Sequence, residues 1–227
     1  GAAGNDVVDL NSSGATLSTA GFDSLGIEFT NVNEAQEVGG LTGSAADEQF
    51  SLNTDSIDVT LSGNLTAFKD VIGAVDAQGG DDTVVILDSS GATADDTITI
   101  SGSQSATVDG VSFSGIENIE ASGGLNTLEG SASQDSFTLL GPQLVSVAGI
   151  AVANVDIIDG MGDADTLTGS ASDENFKFQS SGPNTEILSL QSGGSTNLVA
   201  KSIETLAGGA GTQDAIDIDN NGATLTA

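Results

Sequence analysis

A decapeptide that recurs along the chain constrains the fold more than any other feature. It reads GSAADEQFSL from Gly43 to Leu52, GSASQDSFTL from Gly130 to Leu139 and GSASDENFKF from Gly169 to Phe178. A weaker copy, GATADDTITI, runs from Gly91 to Ile100. Each copy closes on an apolar pair two residues apart: Phe50/Leu52, Phe137/Leu139, Phe176/Phe178 and Ile98/Ile100. Period two is the spacing of a strand with one buried face. A chain that repeats at short intervals folds as stacked copies of one supersecondary unit, each burying its apolar face against the next.

Upstream of each copy lies a second element, an apolar pair followed by Gly and acidic residues. It reads IENIEASGGLNTL from Ile116, VDIIDGMGDADTL from Val155 and IGAVDAQGGDDTV from Ile72. The same frame places FTNVNEAQEVGGL at Phe29 and IETLAGGAGTQDA at Ile203. The units are therefore expected at 29–71, 72–115, 116–154 and 155–202, with the second half of a preceding unit at 1–28 and the start of another at 203–227. The segment GNDVVDLNSSGATLSTA from Gly4 resembles TQDAIDIDNNGATLTA at the other end. Asp6 aligns with Asp214 and Gly14 with Gly222, an offset of 208 residues in both cases. The expectation is that the array continues in both directions.

Short alternating runs rich in Val, Ile, Thr and Phe fill the intervals, and Gly, Asn, Asp and Ser punctuate them. Examples are ATVDGVSFSGI from Ala106 and LVSVAGIAVANVDII from Leu144. One segment, AFKDVIGAVDA from Ala67, carries helical spacing, but its alignment with the other unit starts assigns it to the repeat. A unit of this length is too short for an immunoglobulin-like sandwich, and an array that continues past both ends does not suit a closed propeller. The expected fold is all-β: a repetitive parallel β-helix, or β-solenoid, running as one continuous body.

Charge narrows the function. Acidic residues number 33 against three lysines (Lys69, Lys177 and Lys201) and no arginine, for a formal net charge of −30. Phosphate binding draws on clusters of Lys and Arg, so nucleic-acid partners are excluded, and the same charge opposes anionic lipid. No apolar run reaches membrane-spanning length. Salt or divalent cations would screen such a surface, which suits a saline or calcium-rich exterior. With no cysteine, there is neither a disulfide framework nor a thiolate metal site.

The phrases DGVSFSGIENIEASGG (Asp109 to Gly124) and DGMGDADTLTGSASDENF (Asp159 to Phe176) resemble the degenerate Gly- and Asp-rich repeats of giant secreted bacterial surface proteins. These include adhesins exported by type I systems, with repeat-in-toxin arrays, and haemagglutinin-like exoproteins. The resemblance implies export, length and a role outside the cell.

Three kinds of chemistry are weighed on the residues. Calcium-binding nonapeptides of the form GGxGxDxUx offer carboxylate and carbonyl oxygens to a hard cation. GAAGNDVVD (Gly1 to Asp9), GGDDTVV (Gly79 to Val85), GMGDADTL (Gly160 to Leu167) and GGAGTQDAI (Gly208 to Ile216) approach that form. The candidate Ca²⁺ ligands are Asp6, Asp81, Asp82, Asp163, Asp165 and Asp214. No two copies stand in tandem nine residues apart, and the plainer reading is that Asp and Asn make side-chain turns. For catalysis, the chain lacks His, Cys, Tyr and Arg, so the usual bases, thiol nucleophiles and oxyanion clamps are missing. Paired carboxylates such as Glu117 and Glu120 keep a glycan-active enzyme as an alternative. For carbohydrate binding, Trp and Tyr platforms are absent, and the eight Phe fall mostly at apolar positions that suit a core ladder.

The expected function is a non-catalytic structural or adhesive segment of a large extracellular surface or matrix fibre, associating end to end with itself or neighbouring repeats. The alternatives are a calcium-binding adhesion module whose Asp-rich turns order on export, and an acidic glycan-active β-helix enzyme. A cell-surface or glycan ligand is left open.

Overall fold

The computed structural model describes residues 7–10, 13–18, 21–30, 34–53, 58–61, 67–71, 73–87, 94–180, 186–192 and 196–218. These residues form strands and connecting turns, with no helix among them. Strand β1 (Val7–Asp9) precedes a three-strand meander, β2 (Gly14–Ser18), β3 (Gly21–Ser24) and β4 (Ile27–Thr30). Single strands β5 (Glu34–Gln36) and β6 (Gly40–Thr42) lead to the next meander, β7 (Gln49–Asn53), β8 (Asp58–Leu61) and β9 (Ala67–Phe68). The third meander, β12 (Thr97–Gly102), β13 (Ser105–Val108) and β14 (Val111–Ser114), follows β10 (Val75–Asp76) and β11 (Thr83–Leu87). After β15 (Asn118–Glu120) and β16 (Thr127–Glu129) comes the fourth, β17 (Ser136–Gly141), β18 (Leu144–Val147) and β19 (Ile150–Ala153). Strands β20 (Ile157–Asp159) and β21 (Thr166–Thr168) precede the fifth, β22 (Glu174–Ser180), β23 (Glu186–Ser192) and β24 (Thr196–Lys201), and β25 (Thr205–Ala207) and β26 (Ala215–Ile218) close the series.

The strands assemble into two sheets that follow one rule. The first runs β1-β5-β9-β8-β7-β11-β15-β19-β18-β17-β21-β25, and the second β4-β3-β2-β6-β10-β14-β13-β12-β16-β20-β24-β23-β22-β26. A strand that leads into a meander (β1, β6, β11, β16, β21, β26) is called here a leading strand, and one that follows a meander (β5, β10, β15, β20, β25) a trailing strand. Along either sheet the order is leading, trailing, then a meander in reverse. Successive meanders fall in opposite sheets, so each unit repeats the last with the sheets exchanged. The expected unit starts at 116, 155 and 203 lie just ahead of trailing strands β15, β20 and β25. The one at 29 lies inside β4, and residue 72 is outside the described residues.

Pairing between units is parallel, for example β12 with β16, β16 with β20 and β10 with β14. Within each meander it is antiparallel. The sheets are therefore mixed where an all-parallel coil was expected. The cause is local turn chemistry. Leu25–Gly26, Asp109–Gly110 and Ala148–Gly149 each place two successive residues at positive φ, the geometry of the tight hairpin turn that reverses a chain within its own sheet.

Side chains alternate in burial along the strands, as in Ser136–Gly141, where Phe137 and Leu139 are buried and Ser136 and Leu140 exposed. Phe50, Phe113, Phe137 and Phe176 all lie in the core between the sheets, with Phe22 and Phe68. Phe22 meets Phe68 edge-on at 5.5 Å and Phe50 meets Phe113 at 6.5 Å between ring centroids, the offset geometries that aromatic quadrupoles favour.

Candidate functional site: carboxylate ladders at the corners

Where the chain crosses from one sheet to the other, backbone N–H groups leave the strand ladder and need acceptors. Asp and Glu side chains, and in one column Asn126, supply them, in columns that run across successive turns of the chain. In the first column the Glu48 N–H donates to Asp82 Oδ1 (2.7 Å), and the Asp82 N–H to Glu117 Oε2 (2.7 Å). In the second the Asp96 N–H donates to Asn126 Oδ1 (3.2 Å), and the Asn126 N–H to Asp156 Oδ2 (3.0 Å). In the third the Asp135 N–H donates to Asp165 Oδ1 (2.7 Å), and the Asp165 N–H to Glu204 Oε2 (2.7 Å). A fourth begins with the Glu174 N–H on Asp214 Oδ1 (3.1 Å). Hydrogen bonds to an ionised acceptor are about twice as strong as neutral ones, which offsets the repulsion of stacking like charges.

A second ladder interlocks with the first, one residue earlier and in the opposite sense. Asp47 Oδ1 accepts the Asp81 N–H (2.9 Å), Asp95 Oδ1 the Leu125 N–H (2.8 Å), and Asp173 Oδ1 the Thr212 and Gln213 N–H groups (2.7 and 2.9 Å). Meander turns join in: Gln104 Nε2 donates to Glu117 Oε1, and Gln143 Nε2 to Asp156 Oδ1 (2.6 Å).

This geometry accounts for the decapeptide. Its sixth residue (Glu48, Asp96, Asp135 or Glu174) is the first rung of a column. In two copies that side chain also folds back to accept the N–H of the second residue: Ser44 to Glu48 Oε2 (3.2 Å) and Ser131 to Asp135 Oδ2 (2.6 Å). The Ser170 hydroxyl likewise donates to Glu174. Gly at the first position leaves the space the carboxylate occupies. A Cβ on Gly169 would stand 2.6 Å from Glu174 Oε2, and one on Gly130 would stand 2.7 Å from Asp135 Oδ2.

Of the residues proposed as calcium ligands, Asp6 lies outside the described residues. Asp82 and Asp165 are buried middle rungs, and Asp214 is the second rung of the fourth column. Asp81 is exposed and accepts from Asn118 Nδ2 (2.8 Å), while Asp163 is an exposed turn residue at φ 68°. Among the described residues no three acidic side chains converge in a way that could hold a metal ion. The carboxylates of Asp82, Asp165 and Asp214 accept backbone N–H groups, and that of Asp81 accepts the side-chain amide of Asn118. Glu117 belongs to the first column, and Glu120 is exposed on β15. The sequence reading missed Glu48, Asp96, Asn126, Asp135, Asp156, Glu174 and Glu204. The acidic residue five positions after each decapeptide Gly is the signal that finds Glu48, Asp96, Asp135 and Glu174; Asn126, Asp156 and Glu204 fall outside the decapeptides and carry no such mark.

The middle rung differs among columns in one informative way. Asn126 Nδ2 donates to two backbone carbonyls, those of Ser122 (2.8 Å) and Asn154 (2.9 Å). The atoms that correspond to it in Asp82 and Asp165, both named Oδ2, are buried and have no hydrogen-bond partner. Burial raises both carboxyl pKa values above the usual carboxylate range. Like charge adds to the rise from Glu48 and Glu117 around Asp82, and from Asp135, Glu204 and Asp163 around Asp165. Asp159 goes the other way. Burial opposes it, but the Lys201 ammonium 2.7 Å away and the Met161 N–H hold its carboxyl below the usual range. Comparison with family models, characterised proteins and solved structures finds no match for this chain.

Proposed function

We propose that this chain is a non-catalytic structural segment of an extended, exported surface or matrix fibre, with its two sheets wound as a β-solenoid. One observation carries the reading. The same five-strand unit recurs along the described chain, and its polar side chains at the corners are consumed in joining one turn of chain to the next. Such a body gains stability by adding units and presents an acidic surface that resists collapse and nonspecific contact. The resemblance to giant secreted bacterial surface proteins supports a place outside the cell. In such a setting the segment supplies reach and stiffness, and adhesion belongs to its ends or to other parts of the protein.

The test separates a metal-independent fibre from a calcium-ordered adhesion module. Thermal unfolding is followed in EDTA, in millimolar Ca²⁺ and in matched Mg²⁺. The structural reading predicts no calcium-specific shift, only equal screening by both cations. A calcium site would add about 2.7 kcal/mol at a hundredfold excess over its Kd, and a shift of that size confined to Ca²⁺ would replace this reading with the adhesion module.

A further inference from the structure

The outer face of the first sheet differs from the rest of the surface. Seven strands lie side by side there, in the order β11-β15-β19-β18-β17-β21-β25, and their side chains alternate between the core and the outside. Among the outward residues described on these strands one is charged, Glu120, in a chain with 33 acidic residues. The pairing registers set the outward side chains in straight rows. The central row runs Thr83, Asn118, Ala151, Ser146, Thr138 and Thr168, all uncharged and all partly exposed. Beside it Leu87 is 46% exposed and Leu140 52% exposed. A row on the second sheet reads instead Thr99, Glu129, Asp159 and Lys201.

This distribution has the anatomy of a protein interface, with charge depleted at the centre and kept at the rim. The exposed acids Asp81 and Asp163 stand at the corners, outside these strands. Thr, Ser and Ala are short, which lets two such faces close to the roughly 10 Å of stacked sheets. At about 4.8 Å per strand and 3.4 Å per residue, seven strands of about five residues make a field of roughly 34 by 17 Å. Two such fields face to face bury on the order of 1,100 Å² in total, just above the ~1,000 Å² that a specific interface needs. Charge selects the occupant. Two copies, each with a formal net charge of −30, repel on any approach that sets corner against corner or second sheet against second sheet. Contact through the uncharged field keeps their carboxylates at the rim, where salt screens them.

We propose that two copies of this chain pair face to face through the outer surface of the first sheet, with the row from Thr83 to Thr168 at the centre of the contact. The same surface serves both copies, so the contact is isologous and closes at the dimer. Its small area makes it a weak, concentration-dependent pairing. It goes beyond the reading of the chain as a structural segment, adding a lateral contact that is a property of the face alone.

Sedimentation equilibrium over a concentration series, at ~1 M NaCl where the Debye length falls to about 3 Å, reads the pairing. The expected result is a monomer–dimer equilibrium. Ala151→Glu with Thr168→Glu puts carboxylates into the centre of the field and should raise the dissociation constant of the dimer at least about 100-fold. Ser112→Glu with Thr127→Glu makes the same change on the outer face of the second sheet and should leave that constant unchanged. Ser146→Asp is a smaller change in the central row; it should weaken the dimer in the same direction, and it serves if the double Glu variant fails to fold by circular dichroism. A chain that stays monomeric at every concentration, with strand content retained, would overturn the pairing. A dimer that survives the central-row variants, or that the second-sheet control breaks equally, would overturn the choice of face. Neither result touches the calcium comparison, which tests the structural reading by itself.

Discussion

Asn126 and Asp165 occupy the same rung of successive columns and differ by one terminal atom. The amide nitrogen of Asn126 meets two carbonyls; the second oxygen of Asp165 meets none. An unsatisfied buried polar group costs on the order of 1–3 kcal/mol, so Asp165→Asn and Asp82→Asn should each stabilise the fold by that order, read from the urea midpoint at neutral pH. A midpoint that falls would show the carboxylates are satisfied in solution. Linkage gives a second test. Both carboxyls bind a proton more tightly in the folded chain than in the unfolded one. Their stabilising contribution is therefore full below the unfolded carboxyl pKa and is lost as pH rises through the raised folded value. The urea midpoint should drop over that interval, and the double Asn variant should flatten the drop. Asp159 has the opposite sign: its contribution is present above the unfolded pKa and lost as pH falls through the lowered folded value. None of this was legible from composition, because an Asp in a Gly-rich turn looks the same whether it holds a cation, a proton or a backbone N–H. The glycines were more telling. A Cβ on Gly160 would stand 2.0 Å from the Ser202 carbonyl oxygen, and Gly160→Ala should cost about 1–3 kcal/mol as overpacking, measured by the same denaturation.

At the scale of the strand, the alternation of Phe137 and Leu139 was readable at once, because period two leaves one face for the core. Phe137 is buried and sits between β18 and β21 on the first strand of its meander. Phe137→Ala should therefore destabilise by roughly 3–5 kcal/mol; a change below about 1 kcal/mol would place it on the surface and contradict the register. The hairpins were less readable. ATVDGVSFSGI looks like one alternating run, yet Asp109–Gly110 in its middle is the strongest short-range hairpin signal a sequence can carry. The inward residues are Ala106 and Val108 before the turn and Val111 and Phe113 after it, so the reversal shifts the alternation by one residue, and that shift together with the turn dipeptide reveals it.

For the whole molecule, the repeats disclosed an array, but not the exchange of sheets between successive units. That exchange depends on which face each corner turns toward, a non-local choice that a period of forty-odd residues does not encode. If the two sheets are wound as proposed, the chain is an elongated stack whose core runs between the sheets along its length. Fourteen strands at the usual inter-strand spacing of about 4.8 Å make a body roughly 65 Å long, whereas a globule of this length would have a radius of gyration near ~17 Å. Small-angle X-ray scattering of the chain at low concentration tests this most directly. The expected result is a skewed pair-distance distribution with a longest dimension of at least about 65 Å, set by the same strand spacing. A symmetric distribution with a radius of gyration of about 17 Å would contradict it.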